Sequence, residues 1–263
     1  MKVVLIYPRY RTRMAGGLEE PLGTLYIAAV LRAQGHEVRI HDLSFVNDLT
    51  AMTADLGDAD WIGFSSSSPL FGKALEILRH VKTVAPHVPT VIGGPHATTV
   101  PDEALDNGFD YAFLGESETT VAQFTGLFAE GRGHECPGVA TKMDGVIRIN
   151  QRCDFIDDLD ALPFPARELL DYTHYPTIGM IASRGCPFNC LYCKPMVDQL
   201  FGRKVRHRSA TNVVAEMEQA ISIVGPKEIS FKDGTFTVMS AAWFEEFTSE
   251  LARRKLKVRW QAN

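Results

Sequence analysis

Three cysteines crowd into eight residues: Cys186, Cys190 and Cys193, within the run SRGCPFNCLYC. The Cys-x-x-x-Cys-x-x-Cys spacing puts three soft thiolates on one loop. That is enough to hold three irons of a [4Fe–4S] cube, whereas a closed cluster takes four thiolates. The fourth iron is then open, and an open coordination position is where a substrate or cosubstrate meets a catalytic metal. A structural zinc with a distant fourth ligand is the other chemistry that this spacing allows. Cys136 and Cys153 bring the total to an odd five; they flank a predicted hairpin and read as single free thiols rather than a second metal pair. In a reducing compartment such a clustered, odd set indicates metal binding instead of disulfides.

The surrounding chain must place these thiols at the end of a strand. Tyr175–Ser183 reads as that strand, and it runs straight into Gly185 and the first cysteine. Beyond the loop, Val213, Val214, Met217, Ala220 and Ile221 recur at helical spacing within 211–224, and Glu228–Phe231 reads as a second strand. Asp233 and Thr235 follow it. The carboxyl end of a parallel barrel strand faces the active site, which makes both candidate ligand contacts, with a plain Asp-Gly turn as the competing reading. Ser240 begins a further helix with Trp243, Phe247 and Leu251 on one face, and Lys257 to Trp260 begins a third strand. The basic run Arg203, Lys204, Arg206, His207 and Arg208 reads as a solvated loop rather than an anion site.

From residue 2 to about 130 short apolar runs alternate with helix-period segments, the pattern of a parallel sheet covered on both faces. The predicted strands are Lys2–Tyr7, Glu37–Asp42, Trp61–Ser66, Thr90–Gly93 and Tyr111–Gly115. One helix follows Pro21, with Glu19 and Glu20 suited to its positive end, Leu22, Leu25, Tyr26 and Ala29 on one face, and Gly35 closing it. Another starts at Ser68-Pro69 with Phe71, Ala74, Leu75, Leu78 and Val81 along a core stripe. In a doubly wound sheet, ligands bind beyond the carboxyl ends of the strands. The loops there carry the flexible pair Gly16-Gly17, the run Ser65-Ser66-Ser67-Ser68, Gly93 to Thr99, and Gly115-Glu116-Ser117-Glu118. Glycines let a ligand approach the backbone, and clustered hydroxyls supply adjustable hydrogen bonds. The Gly-x-Gly-x-x-Gly fingerprint is absent after the first strand, which disfavours a dinucleotide.

The 263 residues are 45% hydrophobic and 22% charged, a globular balance that excludes disordered, collagen-like and coiled-coil chains. At the usual ~150 residues per domain, one large or two modest domains are expected. A net charge of −5 gives no basic field for nucleic acid. No apolar run approaches the ~18 residues of a membrane span. Val3–Ile6 ends at Pro8 and Arg9 without a small-residue cleavage site, so a cytoplasmic protein is expected.

The segments PLGTLYIAAVLRAQGHEV, DADWIGFSSSS, VIGGPHATTVPDEAL and FDYAFLGESE, in this order and spacing, closely resemble the cobalamin-binding domain that precedes many radical S-adenosylmethionine (SAM) barrels. The match covers about residues 2 to 130. The cysteine run, with Gly185 before it and Tyr192 ahead of its last thiol, resembles the radical SAM signature. FGRKVRHRSATNVVAEME and KEISFKDGTF look like its continuation in the cobalamin-dependent branch. The resemblance implies an α/β protein: a doubly wound, flavodoxin-like parallel-sheet cobalamin-binding domain over 1–135, a hairpin and linker over 136–171, and an incomplete radical SAM (βα) barrel over 172–263. The Asp-x-His-x-x-Gly motif that supplies an axial histidine elsewhere is missing, so His96 is read as bonding the nucleotide tail or capping a turn.

Three cofactors are implied. A [4Fe–4S] cluster would sit on Cys186, Cys190 and Cys193. SAM would chelate the open iron beside Phe188, Tyr192, Asp233 and Thr235, and reduction would cleave it to a 5′-deoxyadenosyl radical. Cobalamin would lie against Ser65, Ser66, Ser67, Ser68, Gly93, Gly94, His96, Thr98, Gly115 and Glu116. The implied activity is methylation of an unactivated carbon or phosphorus in a small-molecule substrate, with an external donor such as flavodoxin or ferredoxin. An oxidative cyclisation or ring rearrangement with the same cofactors, and a corrinoid or metal module without catalysis, are the alternatives. The later barrel motifs have no counterpart in this sequence. A truncated chain is therefore expected, with an exposed third-strand edge prone to aggregation or poor activity.

Overall fold

The computed structural model describes residues 1–8, 19–45 and 48–262. They divide into two compact units, one of 1–8 with Gly23–Phe155 and the other of 19–22 with 156–262. The Gly16-Gly17 pair lies outside the described residues.

In the first unit the elements run β1 (Lys2–Tyr7), α1 (Leu22–Ala33), β2 (Glu37–Asp42), α2 (Thr50–Leu56), β3 (Trp61–Ser65), α3 (Ser68–Val84), β4 (Thr90–Gly93), α4 (Pro95–Thr99), α5 (Pro101–Asp106), β5 (Tyr111–Phe113), α6 (Ser117–Ala129), β6 (Val139–Met143) and β7 (Val146–Ile149). The sheet order is β2-β1-β3-β4-β5-β6-β7. The first five strands are mutually parallel, and β6 and β7 add on antiparallel. Val3 to Ile6 are all buried, as expected of a strand covered on both faces. Val4, Ile6, Ile62, Phe64 and Ile92 pack against Phe71, Ala74, Leu78 and Val81 of α3, each of the larger side chains stabilising the fold by about 1.5–3 kcal/mol. Gly35 closes α1 at φ +82°, and Asp144-Gly145 turns the β6–β7 hairpin with both φ positive. The chain reverses its direction of strand addition between β1 and β3, so the loop after β3 opens at the switch point.

Three expectations change here. β3 and β5 end one and two residues early, at Ser65 and Phe113. The Gly93–Thr99 loop contains α4, started by Pro95 just after Gly94. Helix α2 carries only Met52 and Leu56 into the core, too few positions for a visible period.

The second unit runs β8 (Thr177–Met180), β9 (Ser183–Arg184), α7 (Lys194–Phe201), β10 (Arg206–His207), α8 (Ala210–Val224), β11 (Glu228–Phe231), α9 (Ala241–Arg253) and β12 (Trp260–Gln261). β8, β11 and β12 form a parallel sheet in the order β12-β11-β8, and β9 pairs antiparallel with β10. Ile178, Met180, Ile229 and Phe231 meet Val213, Val214, Met217 and Phe247 in one core. Ser209 caps α8 by accepting the Asn212 amide at 3.1 Å, and Ser240 caps α9 through Trp243 at 3.2 Å.

Here the single strand expected over Tyr175–Ser183 is broken: β8 stops at Met180, and Ser183 joins the short β9 instead. The third strand starts at Trp260 rather than Lys257. The helix expected from Pro21 begins at Leu22. Glu20 does not serve its positive end; it is buried beside Arg167. Nor is the basic run uniformly solvated, because Arg206 and Arg208 are both buried. Among the described residues no helix is long and apolar enough to cross a membrane.

Candidate active site

The cysteine loop grows out of the carboxyl end of β8 and β9. Gly185 enters it in a left-handed conformation, φ +89°, and a Cβ there would lie 2.5 Å from the Lys204 carbonyl oxygen. Only glycine lets the loop pass so close to the chain leading into β10. At the exit, the Cys190 carbonyl accepts from the Cys193 and Lys194 amides at 3.0 and 2.9 Å, turning the chain into α7. Cys193 is the N-cap of that helix. Cys190 is exposed, Cys186 and Cys193 are half-buried, and none is in a disulfide. Phe188, Leu191 and Tyr192 are exposed, Tyr192 at 91%, so the loop presents apolar surface suited to being covered.

Among the described residues no three His, Cys, Asp or Glu side chains converge on one point. Metal binding therefore requires the loop to gather its thiols. The donor set suits iron–sulfur chemistry: three soft sulfur ligands on one loop, with no imidazole or carboxylate among them.

Asp233 stands two residues after β11, almost fully buried. Both its carboxylate oxygens accept the Ala182 amide at 3.1 Å, and Oδ1 accepts the Ser183 hydroxyl at 2.5 Å. Burial raises its pKa, while the hydrogen bonds from Ser183 and Ala182 oppose the rise. Thr235 Oγ1 lies 3.7 Å from Cys186 Sγ and donates to the Gly234 carbonyl at 2.7 Å. Sequence reasoning placed Asp233 and Thr235 at the right strand end. The structure brings Thr235 to the first thiol and turns the Asp233 carboxylate onto the backbone of the incoming strand.

In the first unit the loops after β3, β4 and β5 interlock. The Ser66 amide donates to the Gly93 carbonyl at 3.0 Å, and the His96 amide donates to the Ser66 carbonyl at 3.1 Å. Gly94 has φ +92°, and a Cβ there would lie 2.9 Å from the Ser66 carbonyl oxygen, so the two loops touch only because position 94 has no side chain. Thr98 Oγ1 donates to the Gly94 carbonyl and accepts the Gly115 amide, each at 3.0 Å, tying the β4 and β5 loops together. Ser65, Ser67, Ser68, Gly93, Gly94 and Gly115 keep accessible surface, whereas Ser66, His96, Thr98 and Glu116 are buried. His96 stacks on Phe71 with ring centroids 3.8 Å apart, and its Nδ1 is 3.1 Å from Ser68 Oγ. Burial lowers its pKa, with Glu103 opposing.

Residues 9–125 match the family model of the B12 binding domain. The chain is 28% identical over 278 residues to an uncharacterized methyltransferase of Pyrococcus horikoshii, covering 100% of this chain and 60% of the relative. It is 29% identical over 293 residues to the anaerobic magnesium-protoporphyrin IX monomethyl ester cyclase of Rubrivivax gelatinosus, covering 100% and 50%. The solved structure of the radical SAM methyltransferase TsrM from Kitasatospora setae, with cobalamin and a [4Fe–4S] cluster bound, shares the fold at a TM-score of 0.74 and 19% identity, over 97% of this chain and 51% of that one. The chain thus resembles a methyltransferase and a cyclase in sequence and a cobalamin-dependent radical SAM enzyme in fold. It spans about half the length of the curated relatives it matches, 60% of one and 50% of the other.

One further group escaped sequence reasoning. Arg167, wholly buried, donates to Glu216 Oε1 and to the Gly179 carbonyl at 2.7 and 2.8 Å, and Glu20 Oε1 lies 3.8 Å from its Nε. Arg208 pairs with the other Glu216 oxygen and donates to the Ile181 carbonyl at 2.9 Å. Nothing in the local sequence of Arg167 marks it as a core residue, since each of its ionic partners is remote along the chain.

Proposed function

We propose that this chain carries the cofactor-binding portion of a cobalamin-dependent radical SAM enzyme whose chemistry is methyl transfer to an unactivated centre. The observation that carries the reading is the set of three unpaired thiols on one accessible loop at the carboxyl end of β8. Cys186, Cys190 and Cys193 would hold three irons, leaving the fourth for the amino and carboxylate groups of SAM. When bound, the cluster and cobalamin supply an electron for cleaving SAM and a carrier for the methyl group.

The chain's own residues bind and shield. Phe188 and Tyr192, both exposed, offer apolar walls to an adenosyl group. The hydroxyls of Ser65, Ser67 and Ser68 and the open backbone at Gly93, Gly94 and Gly115 offer cobalamin its contacts. The buried Ser66, His96, Thr98 and Glu116 support those loops from behind. Ring-forming chemistry with the same cofactors is the second reading, favoured by the likeness to a cyclase. A small-molecule substrate, a flavodoxin or ferredoxin as donor, a cytoplasmic setting that keeps thiols reduced, and no role for nucleic acid complete the proposal; the last follows from the net charge of −5.

Anaerobic reconstitution with iron and sulfide tests it. About four irons per chain are expected, falling sharply in C186A, C190A and C193A. Tight zinc without iron uptake would overturn the reading.

A further inference from the structure

We propose that the Asp233-Gly234-Thr235 turn is the positioning device of the first cluster thiol: Asp233 holds the strand that delivers Cys186, and the Thr235 hydroxyl hydrogen-bonds its sulfur. The inference rests on the cluster reading for its second half only; the first half is a property of the metal-free protein.

Four observations converge. The Asp233 carboxylate is buried, and it accepts from the segment before Cys186, at the Ala182 amide and the Ser183 hydroxyl. The opposite edge of that segment is held by β10, through the Arg206–Arg184 and His207–Ser183 pairs and the Arg208 amide on the Ala182 carbonyl at 2.8 Å. Gly234 lies beside Cys186: a Cβ there would meet Cys186 Cβ and the Gly185 oxygen, each at 3.4 Å. Thr235 then reaches the sulfur itself. The three consecutive residues therefore touch the delivering strand, the thiol's Cβ and its Sγ in turn.

The polarity of the Thr235 contact matters. With the hydroxyl proton given to Gly234, its oxygen receives the Cys186 thiol. Metal binding removes that thiol proton, and a thiolate only accepts. The hydroxyl must then become the donor, and a hydrogen bond to a ligating sulfur stabilises the more negative, reduced cluster, raising its reduction potential. Valine at 235 keeps the shape and loses both roles.

The test uses the 263-residue chain in two states. In metal-free protein, hydrogen exchange is followed at the Ala182 amide in wild type and D233N, with helix α8 of the same unit as an internal control for its opening. Exchange at Ala182 is expected to quicken about tenfold or more in D233N, the scale of a lost charge-assisted bond, with α8 unchanged. In anaerobically reconstituted protein, T235V is expected to keep its iron, move the cluster midpoint to a more negative potential and alter the paramagnetic resonance of the reduced cluster, with T235S restoring both. Unchanged Ala182 exchange in D233N overturns the strand-holding role, and an unmoved potential in T235V overturns the sulfur contact. A wild-type chain that takes up no cluster refutes the proposed function instead, while the exchange experiment still decides the role of Asp233.

Discussion

Arg167 Nη2 lies 2.7 Å from Glu216 Oε1, with both side chains wholly withdrawn from water. Glu20 and Arg208 extend the pair into an alternating chain of acidic and basic groups, Glu20–Arg167–Glu216–Arg208, under the strand that leads to the cysteine loop. Removing one member of a buried pair leaves the rest uncompensated, which costs about 3–5 kcal/mol. R167M is expected to lose about 3 kcal/mol or more in urea unfolding. The exposed pair Lys204–Asp157 gives the contrast: K204A is expected to change stability by less than about 1 kcal/mol. Equal effects of the two substitutions would refute the structural weight given to the buried chain.

Glu20 makes that chain sensitive to pH. Burial raises its carboxyl from an ordinary 4.5 to about 7, against the pull of Arg167. The folded protein therefore holds a proton there that the unfolded chain releases. The stability this proton brings is fully present below pH 4.5 and is lost as pH rises through about 7. E20Q, neutral at every pH, is expected to flatten the decline between these limits by about 2–3 kcal/mol. Parallel pH–stability curves for wild type and E20Q would show that Glu20 does not titrate in the fold.

Cys136 should behave as the opposite of the loop thiols. It is fully buried, and burial, with Cys153 nearby, pushes its thiol up to about 12. In metal-free protein at pH 8, iodoacetamide is expected to modify the exposed Cys190 at least about a hundredfold faster than Cys136, followed by peptide mass spectrometry. Comparable rates would mean that the Cys136 region opens far more often than its burial implies.

Thr98 links two of the proposed cobalamin loops through one hydroxyl. T98V leaves the Gly94 carbonyl and the Gly115 amide without it, at a cost of about 1–3 kcal/mol. Aquacobalamin binding, read by its visible spectrum, is expected to weaken in T98V while T98S stays close to wild type. Wild-type affinity in T98V would detach the Thr98 link from cofactor binding.

Strands β1 and β3 were legible because both their faces are buried: KVVLIY and WIGFS read as nearly unbroken apolar runs, and β1, β2 and β4 fall on their expected ends. The cysteine loop was legible as a unit because its three thiols are neighbours in sequence. What the sequence hid depends on distance along the chain. Arg167 and Glu216 are 49 residues apart, and Asp233 meets Ala182 across 51. Arg206 and Arg208 read as part of a solvated basic run because their burial comes from partners as remote as Ile156, 50 residues away. Helix α4 is a single turn whose existence turns on the backbone at Gly94, which no hydrophobic period reports.

The most direct test of a three-thiolate cluster with an open iron is electron paramagnetic resonance of the reconstituted, dithionite-reduced chain, with and without SAM. A [4Fe–4S]⁺ signal that changes shape when SAM is added is the expected result. A signal that SAM leaves unmoved, or a chain that holds zinc and shows no signal, would contradict it.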